Sequence, residues 1–225
     1  MTAIATNSNA QRSARLEPSP LLNAHPAIAV LRTEHASAYG PVVETLVEHG
    51  VRSIELTLST PGTLEALPEL LESFGEVAEI GVGTILSDDQ AEAAAASGAH
   101  YLVTPAALPG LAAVAARWNI RTFPAGLTPT EVITGWNAGA TAVKLFPASL
   151  VGPGYVSQLR GPFPDVRLMP SGGVRIEDVP AWLRAGVTAV SLGSPLLGDA
   201  LEGGSMTALA ERTKRLLDAI RSVRP

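Results

Sequence analysis

The amino-acid sequence predicts a single-domain (β/α)8 (TIM) barrel, the α/β fold class in which eight parallel strands close into a cylinder surrounded by helices. From residue 27 on, short apolar runs alternate with longer segments whose apolar residues recur three and four positions apart. There are eight apolar runs, and they begin about every 21–26 residues. Several helical segments end in a glycine just before the next run, as helix C-caps commonly do: Gly50, Gly98, Gly139 and Gly186.

Each apolar run has the length of a strand and is bounded by polar or turn-forming residues. In chain order the runs are IAVLR (28–32), SIELTL (53–58), EIGVGT (79–84), HYLVTP (100–105), RTFPAG (121–126), AVKLFP (142–147), RLMPSG (167–172) and AVSLGS (189–194). A doubly wound open sheet shows the same alternation, but eight near-equal units without a change of rhythm favour a closed barrel.

The 225 residues leave room for one barrel with tight loops, which we place at residues 21–225. Residues 1–20 are polar, rich in Ser and Asn, and lack periodicity. They contain Arg12 and Arg15 and few acids, a composition that transit peptides share. We interpret them as a flexible or short helical N-terminal extension.

Composition excludes several classes of function. The chain has no cysteine, which rules out disulfides, iron–sulfur clusters and thiolate zinc sites. A net charge of −5 argues against a nucleic-acid or anionic-membrane partner. No apolar stretch approaches the roughly 18 residues of a membrane span. We therefore expect a cytoplasmic protein that binds neither nucleic acid nor membrane.

A lysine interrupts the sixth apolar run. Because side chains alternate across a strand, Lys144 lies opposite to Val143 and Leu145, and Glu55 lies opposite to Ile54 in the second run. The apolar face should pack against the helices, so Lys144 and Glu55 should point into the barrel. Alternate strands supply one interior layer, so the second and sixth strands can bring the two side chains together.

A lysine that faces a carboxylate in an apolar interior is either a structural ion pair or an acid–base device. Active sites of barrels lie at the C-terminal ends of the strands, where this pair falls, and that position favours chemistry. A desolvated lysine amine can attack a carbonyl, and the iminium that results withdraws electrons from the adjacent carbon. A carboxylate within reach can then move the proton as a bond to that carbon breaks. Lys144 and Glu55 therefore predict a Schiff-base aldolase.

The other strand ends carry polar or turn-forming residues that are hard to attribute to packing alone. The candidates for substrate contacts are Arg32, Thr57, Thr84, Pro105, Phe146 and Ser171. Phosphate sites of barrels often form from the loops after strands seven and eight, which here contain Gly172, Gly173, Gly193 and Ser194. Glycine lets the backbone amides approach an anion closely. These four residues therefore predict a phosphate site.

We expect no metal and no cofactor. The four histidines, His25, His35, His49 and His100, are scattered without ligand spacing. The run GVGTI contains Gly-x-Gly, but the second half of a dinucleotide fingerprint does not follow it.

Six blocks of the sequence, IELTLSTP, GVGTI, VTP, VKLFPAS, GPFPDVRLMPSGGV and GSPLL, together resemble the class I 2-keto-3-deoxy-6-phosphogluconate (KDPG) aldolase family. The similarity covers residues 27 to about 200. The family includes relatives that cleave 2-keto-3-deoxy-6-phosphogalactonate (KDPGal) or 4-hydroxy-2-oxoglutarate. The resemblance implies a metal-free retro-aldol cleavage of a phosphorylated keto acid to pyruvate and glyceraldehyde 3-phosphate, and a homotrimer.

The resemblance also implies roles for individual residues. Lys144 matches the Schiff-base lysine, and Glu55 matches the general acid/base. The matched substrate contacts are Thr84 near the pyruvate carboxylate, Phe146 over the iminium, Arg32 as a carboxylate clamp, and Ser171 where the family often has threonine. Gly172, Gly173, Gly193 and Ser194 match the phosphate cradle.

The chain departs from the family at Ser59, where some members have an arginine that holds the carboxylate. In this chain Arg32 and Thr84 would hold the carboxylate instead. FPAS replaces the FPAE or FPGE of many gluconate-type enzymes and leans towards galactonate-type relatives, without deciding the epimer. Two other classes stay open: a phosphosugar epimerase or transferase in which Lys144 only binds an anion, and a non-catalytic phosphometabolite-binding barrel in which the Lys144–Glu55 pair is structural.

Overall fold

The computed structural model describes residues 15–223, and it confirms the predicted (β/α)8 barrel. The elements are α1 (Pro20–Ala24), β1 (Ala27–Leu31), α2 (Tyr39–Glu48), β2 (Ser53–Thr57), α3 (Thr63–Phe74), β3 (Glu79–Gly83), α4 (Asp88–Ala96), β4 (Tyr101–Val103), α5 (Leu111–Trp118), β5 (Arg121–Phe123), β6 (Ala125–Gly126), α6 (Pro129–Asn137), β7 (Val143–Leu145), α7 (Gly154–Arg160), β8 (Leu168–Pro170), α8 (Val179–Arg184), β9 (Val190–Leu192), α9 (Ser194–Leu197) and α10 (Met206–Arg221). Between residues 15 and 223, no helix combines the length and the apolar character that crossing a membrane requires.

Nine strand segments fill eight barrel positions, because the fifth predicted run is divided. Pro124 has no amide hydrogen and separates β5 from β6, while its carbonyl still accepts a 2.9 Å hydrogen bond from the amide of Lys144 on β7. One sheet runs in the order β5-β4-β3-β2-β1-β9 and the other in the order β6-β7-β8. A parallel bridge between Ser171 and Ser191 joins β8 to β9. The two sheets therefore form one closed barrel.

The strands alternate as the sequence predicts. Ile54, Val143 and Leu145 belong to the apolar layer between strands and helices. A second apolar cluster fills the barrel interior and consists of Leu22, Ile28, Tyr101, Val103, Phe123, Ala142, Met169 and Ala189. Lys144 shares the inward face with Ala142, two positions before it. The interior layer near the C-terminal ends of the strands is thus the polar one.

The N-terminal ends of the strands are closed by residues 15–24. The Arg15 guanidinium lies 3.4 Å from the centroid of the Trp136 ring and donates to the carbonyl oxygens of Trp136 and Ala140. Glu17 forms an ion pair with Arg167. The predicted flexible tail, residues 1–20, falls mainly on residues 1–14, which lie outside the described residues. Its last part, residues 15–20, is packed on the barrel.

Candidate active site

A cavity of about 430 Å³ opens at the C-terminal ends of the strands. Eleven of the twelve predicted site residues line it: Arg32, Glu55, Thr84, Pro105, Lys144, Phe146, Ser171, Gly172, Gly173, Gly193 and Ser194. Several of them, including Arg32, Thr84 and Phe146, follow the last residue of their strand, where the chain turns toward the opening. The barrel therefore brings residues from seven of its eight positions to one cavity.

Lys144 and Glu55 meet at the floor of this cavity. The Lys144 Nζ atom lies 3.5 Å from Glu55 Oε1, and the two side chains are 7% and 1% exposed. Glu55 Oε2 is buried without a hydrogen-bond partner among residues 15–223. The centroid of the Phe146 ring lies 5.6 Å from Nζ, within the range of a cation–π contact. The pair is therefore shielded from bulk solvent, and one carboxylate oxygen is free to accept a hydrogen bond.

Tyr101 lies below this pair and is fully buried in the interior cluster. Burial, with a further contribution from the Glu55 carboxylate, raises the pKa of the Tyr101 hydroxyl well above its ordinary value of 10.0. The ring packs edge to face against Phe123, with centroids 5.5 Å apart. Tyr101 therefore stays neutral.

Arg32 and Thr84 form a polar pair on the cavity wall. The Arg32 Nη2 atom donates to Thr84 Oγ1 at 3.2 Å. In the described part of the chain, no carboxylate lies within ion-pairing distance of Arg32. A guanidinium without an acidic partner can bind a ligand carboxylate through two parallel hydrogen bonds. The wall beside Lys144 can therefore hold an anion.

Thr84 has an unusual backbone conformation, with φ of +57°. For a β-branched residue the left-handed region is strained, by about 1–2 kcal/mol. We expect Thr84→Gly to be more stable than Thr84→Ala by about 1 kcal/mol, the reverse of the order usual for these two residues, because only glycine removes the strain. Both variants lose the hydroxyl and should raise KM. Chemical denaturation and steady-state kinetics check the two effects, and an alanine variant at least as stable as the glycine variant would contradict the strain.

The loops after β8 and β9 complete the cavity. Gly172 and Gly173 have φ of +83° and +75°, and a Cβ on them would lie 2.9 Å from the Phe146 ring and 2.7 Å from the Ser149 Cβ. The Ser149 amide donates to the Gly172 carbonyl at 3.0 Å. Conformation and space thus both require glycine here, and the cavity has a wall made largely of backbone.

Thr57 is the predicted site residue that the structure places elsewhere. It is fully buried and does not line the cavity. Its hydroxyl accepts a 3.1 Å hydrogen bond from Ser59, and its carbonyl accepts one from the Thr63 hydroxyl at 3.0 Å. The polar groups of Thr57 thus bond within the loop that follows β2, and its contact with substrate stays a prediction. Ser59 takes part in this loop and does not reach the cavity.

Several residues that line the cavity are not among those predicted from the sequence. Val30 could have been found, because it is two positions before Arg32 and alternation places both on one face. Leu197 ends α9, and Leu201 and Glu202 lie in a three-residue 3-10 helix after it. Segments this short carry no periodic signal. Within residues 15–223, no group of three or more His, Cys, Asp or Glu side chains is arranged to hold a metal ion.

Comparison with known proteins identifies the family of the chain. The family model for KDPG and KHG aldolase matches residues 20–210. The chain is 32% identical over 191 residues to the 2-dehydro-3-deoxy-6-phosphogalactonate aldolase of Escherichia coli strain K12, covering 82% of this chain and 92% of the relative. It is also 32% identical over 190 residues to the 2-dehydro-3-deoxy-phosphogluconate aldolase of Dickeya dadantii, covering 82% of this chain and 87% of the relative.

Two solved structures have the same fold. A native KDPGal structure superposes with a TM-score of 0.82 at 30% identity, covering 88% of this chain and 96% of that one. The KDPG aldolase of Legionella pneumophila, with pyruvate captured as a covalent carbinolamine, superposes with a TM-score of 0.80 at 26% identity, covering 87% of this chain and 96% of that one. The chain belongs to the KDPG and KHG aldolase family, and it is a carbon–carbon lyase.

Proposed function

We propose that this protein is a class I aldolase that cleaves a 2-keto-3-deoxy-6-phosphoaldonate into pyruvate and glyceraldehyde 3-phosphate. Lys144 is the Schiff-base lysine and Glu55 the general acid/base. The observation that carries the proposal is the 3.5 Å distance between Lys144 Nζ and Glu55 Oε1 at the floor of an open cavity. The carbinolamine in the Legionella relative supports the same chemistry for this chain.

The first half of the reaction joins substrate to enzyme. The free amine of Lys144 attacks the keto carbon C2 and forms a carbinolamine. Glu55, which takes a proton from the Lys144 ammonium before the attack, gives it to the carbinolamine hydroxyl, which leaves as water, and a C2=N iminium remains. Phe146 lies beside Nζ and shields this cation from solvent.

The second half breaks the carbon–carbon bond. The C4 hydroxyl gives its proton to the Glu55 carboxylate, the C3–C4 bond breaks, and the aldehyde leaves while the electron pair moves into an enamine. Glu55 then returns the proton to C3, which regenerates an iminium, now of pyruvate. Water adds to this iminium while Glu55 takes its proton, the C–N bond of the resulting carbinolamine breaks, pyruvate leaves, and Lys144 is free again. No electron acceptor is needed, because the iminium nitrogen takes and returns the electron pair.

The cavity walls orient the substrate. Arg32 and Thr84, joined by a 3.2 Å hydrogen bond, bind the carboxylate next to C2. The backbone and hydroxyl groups of Gly172, Gly173 and Ser194 bind the phosphate at the far end. This arrangement supports the expectation that Arg32 and Thr84 hold the carboxylate in a chain with Ser59 at the arginine position.

The chemistry is tested by reduction with borohydride in the presence of pyruvate. We expect a stable covalent adduct on Lys144, because only an imine there can be reduced to a secondary amine. The chain supplies its own control, since its second lysine, Lys214, lies exposed on α10 and should stay unmodified. A peptide map without an adduct on Lys144 would refute the Schiff base and leave the epimerase or the binding barrel.

The substrate is tested by kinetics with KDPG, KDPGal, their unphosphorylated forms and 4-hydroxy-2-oxoglutarate. We propose a phosphorylated aldonate of gluconate or galactonate type, with 4-hydroxy-2-oxoglutarate as the alternative substrate that the family model supports. Unchanged kcat/KM on removal of the phosphate would contradict the phosphate cradle. On the resemblance alone we also propose a cytoplasmic homotrimer, which light scattering of the purified protein checks for mass.

A further inference from the structure

Two glycines of β3 have no backbone reason to be glycine. Gly81 and Gly83 lie in a five-residue strand, and neither is among the residues with positive φ. Glycine weakens a strand because it loses more conformational freedom on folding than other residues, so extended backbone favours almost any other choice. The reason for glycine at these two positions must therefore lie in the space that a side chain would fill.

At Gly83 that space is filled by Glu55. A Cβ on Gly83 would lie 2.0 Å from Glu55 Oε1, 2.5 Å from Cδ and 2.6 Å from Cγ. At Gly81 the neighbour is different, because a Cβ there would lie 2.2 Å from the Tyr101 ring. Each glycine thus admits one side chain from an adjacent strand, β2 in the first case and β4 in the second.

We propose that Gly83 is a positioning residue for the reaction, and that it acts by leaving the slot in which the Glu55 carboxylate lies. The oxygen that a methyl group would displace, Oε1, is the one that lies 3.5 Å from Lys144 Nζ. Glu55 is only 1% exposed, so the carboxylate cannot yield to the methyl and keep this position. This inference rests on the proposed function, because the position of the Glu55 carboxylate affects turnover only if Glu55 transfers protons in the reaction.

The test begins with Gly83→Ala. We expect kcat to fall by about 10²-fold or more, since proton transfer by Glu55 is impaired, while KM changes little. The borohydride adduct with pyruvate on Lys144 should still form, because the amine is untouched. Gly40→Ala is the matched control: Gly40 lies in α2, a Cβ there meets nothing within 4 Å, and turnover should be unchanged.

A double-mutant cycle separates positioning from general damage. In a Glu55→Gln background, Gly83→Ala should lower kcat by no more than about twofold, because the group it displaces no longer transfers protons. An equal fold-loss in both backgrounds, or wild-type kcat in Gly83→Ala alone, would overturn the inference. Wild-type turnover in Glu55→Gln alone would instead refute the proposed role of Glu55, so the two failures are distinguishable.

A folding defect in Gly83→Ala is also informative. Glu55→Asp shortens the side chain by one methylene and withdraws the carboxylate from the slot. We expect Gly83→Ala to unfold at lower denaturant concentration than wild type, and the added alanine to have a much smaller effect in the Glu55→Asp background. If Gly83→Ala destabilises both backgrounds equally, the methyl group clashes with something other than the carboxylate, and the inference fails.

Discussion

Lys144→Ala is expected to abolish pyruvate release, with a fall in kcat of at least about 10⁴-fold, the order found when an enzyme loses a member of a catalytic unit. The physical reason is that no other lysine among residues 15–223 lines the cavity, so the iminium that accepts the electron pair cannot form. Pyruvate production from KDPG and KDPGal, followed by a coupled assay, measures the loss.

Two further lysine variants serve as controls for Lys144→Ala. Lys214→Ala changes an exposed residue of α10 and should leave turnover unchanged. Lys144→Arg keeps a cation beside the buried Glu55 carboxylate and so avoids an uncompensated buried charge, which costs about 3–5 kcal/mol. It should therefore fold but remain inactive, because a guanidinium is not a nucleophile at neutral pH. Substantial turnover in Lys144→Arg would mean that residue 144 only binds an anion, as in the epimerase alternative.

Glu55→Gln is expected to lower kcat by about 10²–10⁴-fold while the Lys144 adduct still forms. The amide keeps the shape of the carboxylate but cannot take the proton from the C4 hydroxyl or return it to C3. Single-turnover kinetics separate imine formation from bond cleavage, and the larger decrease should fall on cleavage.

The matched control for this variant is Glu79→Gln. Glu79 begins β3 at the other end of the barrel, is also buried, and lies 4.0 Å from Arg121 and 3.4 Å from the Ser53 hydroxyl. Its replacement should affect folding stability and leave the chemistry intact. Equal turnover in Glu55→Gln and wild type would remove Glu55 from the mechanism.

The fold and the Lys144–Glu55 pair could be predicted from the sequence because they depend on the short repeats of apolar residues in strands and helices. A period of two fixes which face of a strand Lys144 and Glu55 occupy, and the barrel geometry then brings alternate strands into one layer. The only sign in the sequence that the fifth strand is divided is Pro124. Whether a proline interrupts a strand depends on whether its missing amide hydrogen would have bonded to a carbonyl group of the neighbouring strand.

The features that the sequence did not reveal lie where the chain leaves regular structure or where the contacts are distant in sequence. Thr57 ends β2, and the loop after it turns back and bonds to its hydroxyl and carbonyl, which no local pattern reveals. Arg15 lies 121 residues from its contact with Trp136, so periodicity could not show that this part of the extension is packed. The glycines of GVGTI were visible, but their reason depends on Glu55 and Tyr101, which come from other strands.

Residues 15–24 pack against the N-terminal ends of the strands, so contacts that stabilise the fold lie at the opposite end of the barrel from the candidate active site. Arg15, Trp136 and the Glu17–Arg167 pair brace the end of the barrel that faces away from the reaction. We expect mutations there to change thermal stability, and mutations in the loops at the opposite end to change substrate choice. Thermal stability and substrate specificity can therefore be engineered at opposite ends of the barrel, with few residues that affect both.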